Sequence, residues 1–215
     1  MNKRAVRSAA MPAVLFVMLV LCIYAGAATR FEGWFYGEAV ERMSPVLTAV
    51  MKGVTHFGDP AVVILLCLVL FLVPKTRKSI APPVSAAVIL SAVLNVVLKR
   101  IFARGRPNVL RLISETGYSF PSGHAMISAS LYGMLILLIW KYFRSVPLKV
   151  SLSLACAALT ALIGFSRVYL GVHYAGDVLG GWLFGAAVSL SVYSFWDGGR
   201  FARKGSFRFS AQRRN

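Results

Sequence analysis

Acidic side chains are scarce in this chain: seven Asp and Glu among 215 residues, with no acidic cluster of the kind magnesium requires. Cysteine is scarcer still. Cys22, Cys67 and Cys156 are odd in number and each falls inside an apolar run, which speaks against a disulfide framework or a zinc site and makes them packing residues. Charged residues make up only 14% of the chain against 58% hydrophobic residues, a balance that an ordinary soluble domain does not have. The composition is that of an integral membrane protein. A net charge of +17 would point to nucleic acid in a soluble protein, but here the basic residues sit in short clusters between apolar runs. Membrane topology accounts for such clusters, and no nucleic-acid signature accompanies them.

Six apolar runs follow one another, at about 12–28, 54–73, 80–98, 125–140, 150–165 and 174–195, each near the length that crosses a bilayer as a helix. The expected fold is all-α, a six-transmembrane-helix bundle in one domain spanning 1–215. Ala25-Gly26-Ala27 resembles a cleavage site, but the first run is longer than a signal-peptide core, so an uncleaved anchor is expected. Residues 29–53 are semi-polar, with Phe31, Trp34, Phe35 and Tyr36 suited to the membrane interface; Ser44-Pro45 reads as N-cap and first position of a short helix lying on the membrane surface. His56 and Asp59 stand where Gly58-Asp59-Pro60 breaks the pattern and are expected to be structural. The basic tail 200–215, with Phe201, Phe207 and Phe209, is expected to anchor on anionic lipid. Gly176-x3-Gly180 and Gly181-x3-Gly185 are small-residue pairs expected to pack inside the bundle rather than between subunits, which leaves the oligomeric state open.

With the N-terminus in the cytoplasm, fifteen of the twenty-four Lys and Arg fall inside and six of the seven acids outside. The positive-inside rule therefore predicts six spans in the inner (cytoplasmic) membrane with both termini cytoplasmic. One loop resists it. Lys99, Arg100, Arg104, Arg106 and Arg111 crowd into an outer, periplasmic segment, and a charge cluster that opposes topology needs a chemical reason.

Spacing supplies one. The stretch YSFPSGH, Tyr118 to His124, is a polar turn in front of an apolar run, so Ser122, Gly123 and His124 stand at a helix N-terminus, where orphan N–H groups and the helix dipole favour an anion. A histidine there is ordinarily structural unless the chain brings it partners. Forty-one residues separate His124 from Ser166, about two crossings and a turn, so the segment from Ser166 to Asp177 returns to the same face, where Lys99 also closes its run. His173 and Asp177, four apart, fall on one helical face within hydrogen-bond reach, and an Asp that holds one imidazole nitrogen leaves the other free as nucleophile or base. Lys99, Arg106 and Arg167 can clamp phosphoryl oxygens, with Ser122 and the Gly123 N–H completing the cradle. These are parts for phosphoryl transfer: His173 attacks phosphorus and His124 protonates the leaving oxygen. The surrounding cations oppose a metal ion, and none is expected.

At these positions the sequence resembles the type 2 phosphatidic acid phosphatases, or lipid phosphate phosphatases: Lys99-x6-Arg106-Pro107, then Pro121-Ser122-Gly123-His124, then Ser166-Arg167-x5-His173-x3-Asp177. The run Val168 to Tyr174 is similar to the bacterial membrane branch, which includes phosphatidylglycerophosphate and undecaprenyl diphosphate phosphatases. The resemblance implies a phosphohistidine on His173 oriented by Asp177, His124 as general acid, Lys99, Arg106, Ser122, Gly123 and Arg167 binding phosphate, a lipid phosphate substrate and no cofactor. Arg100, Arg104 and Arg111 lie outside the signature and are expected to steer headgroups or contact lipid phosphates. Two other readings stand beside hydrolysis: a lipid phosphotransferase using the same pocket, and a non-catalytic lipid-binding or transport protein.

Overall fold

The structure is a computed structural model, and it describes residues 3–198. The tail 200–215, read above as a lipid anchor, lies outside the described residues. Those described form eight α-helices and no strand: α1 Lys3–Tyr24, α2 Thr29–Glu41, α3 Pro45–Thr55, α4 Pro60–Leu72, α5 Ala81–Phe102, α6 Gly123–Tyr142, α7 Val146–Tyr169 and α8 Ala175–Gly198, with a 3₁₀ turn at His56–Gly58 between α3 and α4. Helices α5 to α8 are each long and apolar enough to cross a membrane. Two further pairs qualify only as broken units: α1 with α2, bent by 92°, and α3 with α4, bent by 51°, so the chain has four to six candidate spans. This is a multi-pass membrane fold. Large apolar side chains such as Leu65, Leu68, Ile89, Val93, Leu154 and Leu162 point outward, as lipid-facing residues do.

The third to sixth expected spans coincide with α5 to α8, give or take a turn or less at most ends. Differences lie before them. The run at 54–73 is not one helix: Asp59 has an extended backbone (φ −68°, ψ 143°) and Pro60 opens α4, which at 13 residues is only ~20 Å long. Proline has no N–H to give to the i−4 carbonyl, so the chain restarts there. The segment 29–53 holds two helices where one was expected. In α3, the Ser44 side chain accepts from the Leu47 N–H at 3.2 Å and Pro45 takes the first position, as the sequence reads. Helix α2 lies across the end of α1 with Ala39 and Glu32 turned inward, and with Phe31 and Trp34 exposed.

Helix α8 is the axis of the bundle, packed most extensively against α6 and α1. Its glycines make this possible. A Cβ at Gly181 would lie 2.8 Å from the Ser122 carbonyl oxygen, and one at Gly185 would overlap that of Met126, so both face the backbone of α6 within the bundle. The Ser130 hydroxyl then donates across the gap to the Gly185 carbonyl at 3.1 Å. Since the obstructing atoms are backbone, Gly185→Val is expected to cost about 1–3 kcal/mol, measured as a lowered thermal midpoint in detergent. Around this contact, Val63, Val84, Val88, Leu131, Met134, Leu138 and Ile163 form the main core, and Ala39, Met51, Tyr169, Leu170 and Val172 form a second one beneath α2 and α3.

Candidate active site

The pocket is built at one end of α5, α6, α7 and α8, and its geometry starts with His173. Gly171, at φ 73°, turns the chain out of α7, and no side chain fits there because a Cβ would overlap the Leu110 carbonyl oxygen. His173 follows in this turn rather than on α8 itself, while Asp177 occupies the helix's first turn. The Asp177 carboxylate reaches back to accept from the Tyr174 N–H at 2.9 Å, as a capping residue does. Its Oδ2 also accepts from the Ser119 hydroxyl and lies 3.4 Å from His173 Nδ1. Arg106 Nη1 approaches the other ring nitrogen, Nε2, at 3.4 Å. A guanidinium has no acceptor, so Nε2 is the nitrogen carrying the lone pair and Nδ1 carries the hydrogen. Burial pulls the His173 imidazolium down, Asp177 pushes it up, and the charges of Arg167 and Lys99 lower it again, leaving a pKa of about 4. The ring is neutral at physiological pH, with a free nitrogen facing the cations.

His124, second residue of α6, is also paired with a carboxylate. Its Nε2 donates to Asp59 Oδ1 at 2.8 Å, and Asp59 Oδ2 contacts His56 Nδ1 at 2.6 Å. His56 and Asp59, expected to be structural, thus touch the site: the break before Pro60 carries Asp59 onto the histidine. Gly58 lets it approach, since a Cβ there would lie 2.9 Å from His124 Cδ2. The α6 start itself is held from two sides. Asn95, one turn before Lys99 on α5, donates to the Pro121 carbonyl at 3.1 Å, and the Ser122 N–H donates to the Asp177 carbonyl at 3.0 Å. The second bond ties the Ser-Gly-His turn directly to the helix that bears Asp177.

The three cations converge between these histidines. Lys99 donates to the Tyr118 carbonyl. Arg106 orders the loop between α5 and α6 by donating to Thr116 (2.8 Å), Gly117 (3.1 Å) and Val172 (2.9 Å) carbonyls. Arg167 is only 1% exposed; one Nη donates to Thr55 Oγ1 at 2.8 Å and the other to Glu115. Glu115 Oε2 also stands 3.7 Å from Arg106 Nη2, so one carboxylate spans two of the cations. Burial raises the Glu115 carboxyl, but the charge and hydrogen bond of Arg167 outweigh it, and the group lies below the ordinary range. Arg167 Nε and the Ser122 hydroxyl are buried with no hydrogen-bond partner. Buried donors left unpaired are costly in a folded protein, and these two are free to meet an acceptor. A largely apolar cavity of ≈ 180 Å³, lined by Thr29, Glu32, Gly33, Tyr36, Pro107, Val109, Val168 and Tyr174, reaches His173 from beneath α2.

The residues expected to bind phosphate or to react thus gather at one end of α5 to α8, joined by the contacts just described. Arg104 corrects a further expectation. Instead of facing lipid, its guanidinium is largely buried, paired with Glu32 at 2.7 Å and with Asp177 at 2.7 Å. Arg111 turns back to the Pro107 carbonyl at 2.8 Å. Glu32, Asp59, Asn95, Glu115 and Ser119 were not read as site residues, and of these only Asp59, beside a helix-breaking Gly-Asp-Pro, carried a local signal.

Apolar helices that close over two carboxylate-backed histidines and a set of cations describe an enzyme of the membrane phosphatase class. The chain belongs to the PAP2 superfamily, whose profile it matches over residues 83–200. It is 32% identical to phosphatidylglycerophosphatase B of Bacillus subtilis over 188 residues, covering 85% of this chain and 91% of that protein. It is also 32% identical to an undecaprenyl-diphosphatase of Sulfolobus acidocaldarius, covering 68% of this chain and 69% of that one. Among solved structures, a transmembrane PAP2-type phosphatidylglycerolphosphate phosphatase from Bacillus subtilis superposes with a TM-score of 0.79 at 29% identity, over 94% of this chain and 99% of its own.

Proposed function

We propose that this protein is a metal-independent lipid phosphatase that hydrolyses a phosphomonoester or diphosphate, with phosphatidylglycerophosphate, phosphatidate and undecaprenyl diphosphate as candidate substrates. The observation that carries the reading is the pair of unpartnered buried donors, Arg167 Nε and Ser122 Oγ, at the end of the bundle that also carries Lys99, Arg106 and the α6 N-terminus. Together they offer a phosphoryl group more donors than a carboxylate can use. His173 Nε2 attacks phosphorus, forming the P–N bond as the P–O bond to the leaving group breaks. His124 enters as the imidazolium, with Nε2–H held by Asp59, and its Nδ1–H gives its proton to the departing oxygen, leaving the neutral ring. Water then attacks the phosphohistidine, its proton returns to His124, and orthophosphate leaves with both histidines restored. The apolar cavity beside His173 supports a lipid over a soluble phosphate ester. The distribution of Lys and Arg supports six spans in the cytoplasmic membrane with this pocket on the outer face.

Purified protein in detergent with chelator is expected to release orthophosphate from at least one of these three lipids. No release from any of them, or release only after a divalent metal is restored, contradicts the reading. Glu115 gives a second prediction. Its carboxylate sits between Arg167 and Arg106 and competes with phosphate for both. Glu115→Gln is therefore expected to tighten competitive inhibition by orthophosphate, by about tenfold if one charge-assisted contact of ~1.4 kcal/mol is released. Weaker inhibition would show that Glu115 builds the site rather than competing for it.

A further inference from the structure

Glu32 is a carboxylate 6% exposed on a helix whose neighbouring Phe31 and Trp34 are 41% and 61% exposed. Burying it with Arg104 is expensive, and an apolar pair of similar volume would ordinarily serve the fold as well or better. The contacts give another reason for the pair. Arg104 donates to Glu32 through both Nη atoms, at 3.0 and 2.7 Å, and the same Nη1 donates to Asp177 Oδ1 at 2.7 Å. Its guanidinium lies over the Tyr174 ring, 4.1 Å from the centroid. Space for Glu32 exists because residue 176 is glycine; a Cβ there would overlap Glu32 Oε1. The Asp177 carboxylate divides its work. Oδ2 serves Ser119, the Tyr174 N–H and the His173 side, whereas the contact on Oδ1 is made by Arg104.

We propose that Arg104 and Glu32 are positioning residues for the nucleophile: Arg104 anchors Oδ1 so that Oδ2 stays on His173 Nδ1, and Glu32 fixes the guanidinium and absorbs part of its charge. This rests on His173 being the nucleophile. It extends the site to α2, so the seating of that helix at the membrane interface is read directly by the reacting histidine. Without Glu32, Arg104 would neutralise Asp177 more fully; without Arg104, Asp177 would act on His173 undiluted. The other groups facing His173 are Ser119 and Arg106 of the loop, Lys99 of α5 and Arg167 of α7, and they are the same in every variant compared below.

The test compares Arg104→Gln, Arg104→Lys and Glu32→Gln in the full-length protein, reading kcat, KM, the pH profile of kcat/KM, and thermal protection by orthophosphate. Arg104→Gln is expected to lower kcat about 100-fold, the scale of a misplaced reacting group, with KM and orthophosphate protection within about twofold of the parent. Arg104→Lys, which cannot bridge two carboxylates, recovers only part of the loss. The His173 limb of kcat/KM, expected at about pH 4, moves up in Arg104→Gln and down in Glu32→Gln, because the two changes alter the charge felt by Asp177 in opposite senses. A kcat equal to the parent in either Gln variant overturns the proposal. So does loss of kcat and orthophosphate protection together with both acid limbs unmoved, which is what a merely structural pair would give. Should Arg104→Gln fail to fold, Glu32→Gln, which keeps every heavy-atom position, decides by the same readouts. If the parent itself shows neither turnover nor orthophosphate protection, the underlying reading of the pocket fails as well, and the proposal falls with it.

Discussion

His173→Ala is expected to remove turnover, by at least about 10⁴-fold in kcat, while the protein still folds and still binds orthophosphate. The size follows from its place in the reaction. In the proposed reaction a general acid or an oxyanion donor modulates a barrier, whereas His173 supplies the atom that forms the bond to phosphorus, and His124 stands there as proton donor. Survival of the fold follows from the same contacts. Truncating the ring leaves Asp177 with Arg104, Ser119 and the Tyr174 N–H, so no buried carboxylate is stranded. The measurement is orthophosphate release alongside thermal protection by orthophosphate. Because the His173 pKa lies at about 4, the proposed nucleophile is lost to protonation only well below the ordinary histidine range. In the parent, kcat/KM therefore keeps its His173 dependence out of the neutral region, and any acid limb near pH 6.5 reports the substrate phosphate.

His124→Ala is the second large effect, and its signature is dependence on the leaving group. For an alkyl phosphomonoester, whose departing alkoxide needs a proton, kcat is expected to fall about 10³-fold. For an aryl phosphate with an acidic phenol, which leaves without help, the fall is expected to be about tenfold or less. The contrast between the two substrates separates catalysis from helix capping. If His124 only held the start of α6, both rates would fall together. Asp59 remains partnered by His56 and is one-third exposed, so this variant too avoids an unpaired buried charge.

What could be read from the sequence, and what could not, divides along a physical line. Apolar runs long enough to cross a bilayer announced α5 to α8, because a span needs only composition and length. The Ser44-Pro45 start of α3 was visible because a cap is a local interaction. The grouping of Lys99, Arg106, Ser122, His124, Arg167, His173 and Asp177 followed from counting crossings. Its missing members are joined by contacts with no period or spacing: Arg104 meets Glu32 and Asp177 across 72 and 73 residues, and His124 meets Asp59 across 65. Helix α2 was hidden for a different reason. Gly33 and Gly37 weaken its propensity, and its burial comes from α7 and α8 rather than from a regular apolar stripe. Arg104 was misread because an arginine outside a known motif, near a span end, ordinarily faces headgroups. The buried carboxylate that claims it is visible only in three dimensions.

The central claim is covalent chemistry at His173, and trapping the intermediate tests it most directly. Protein mixed briefly with a lipid phosphate carrying radiolabelled phosphorus, quenched in alkali and digested, is expected to yield label on the peptide containing His173. Phosphoramidates survive alkali and hydrolyse in acid, so the label should vanish on acid treatment, and His173→Ala should carry none. Label on His124, alkali-labile label on a serine such as Ser122, or turnover with no labelled peptide under conditions that trap burst intermediates would contradict the account.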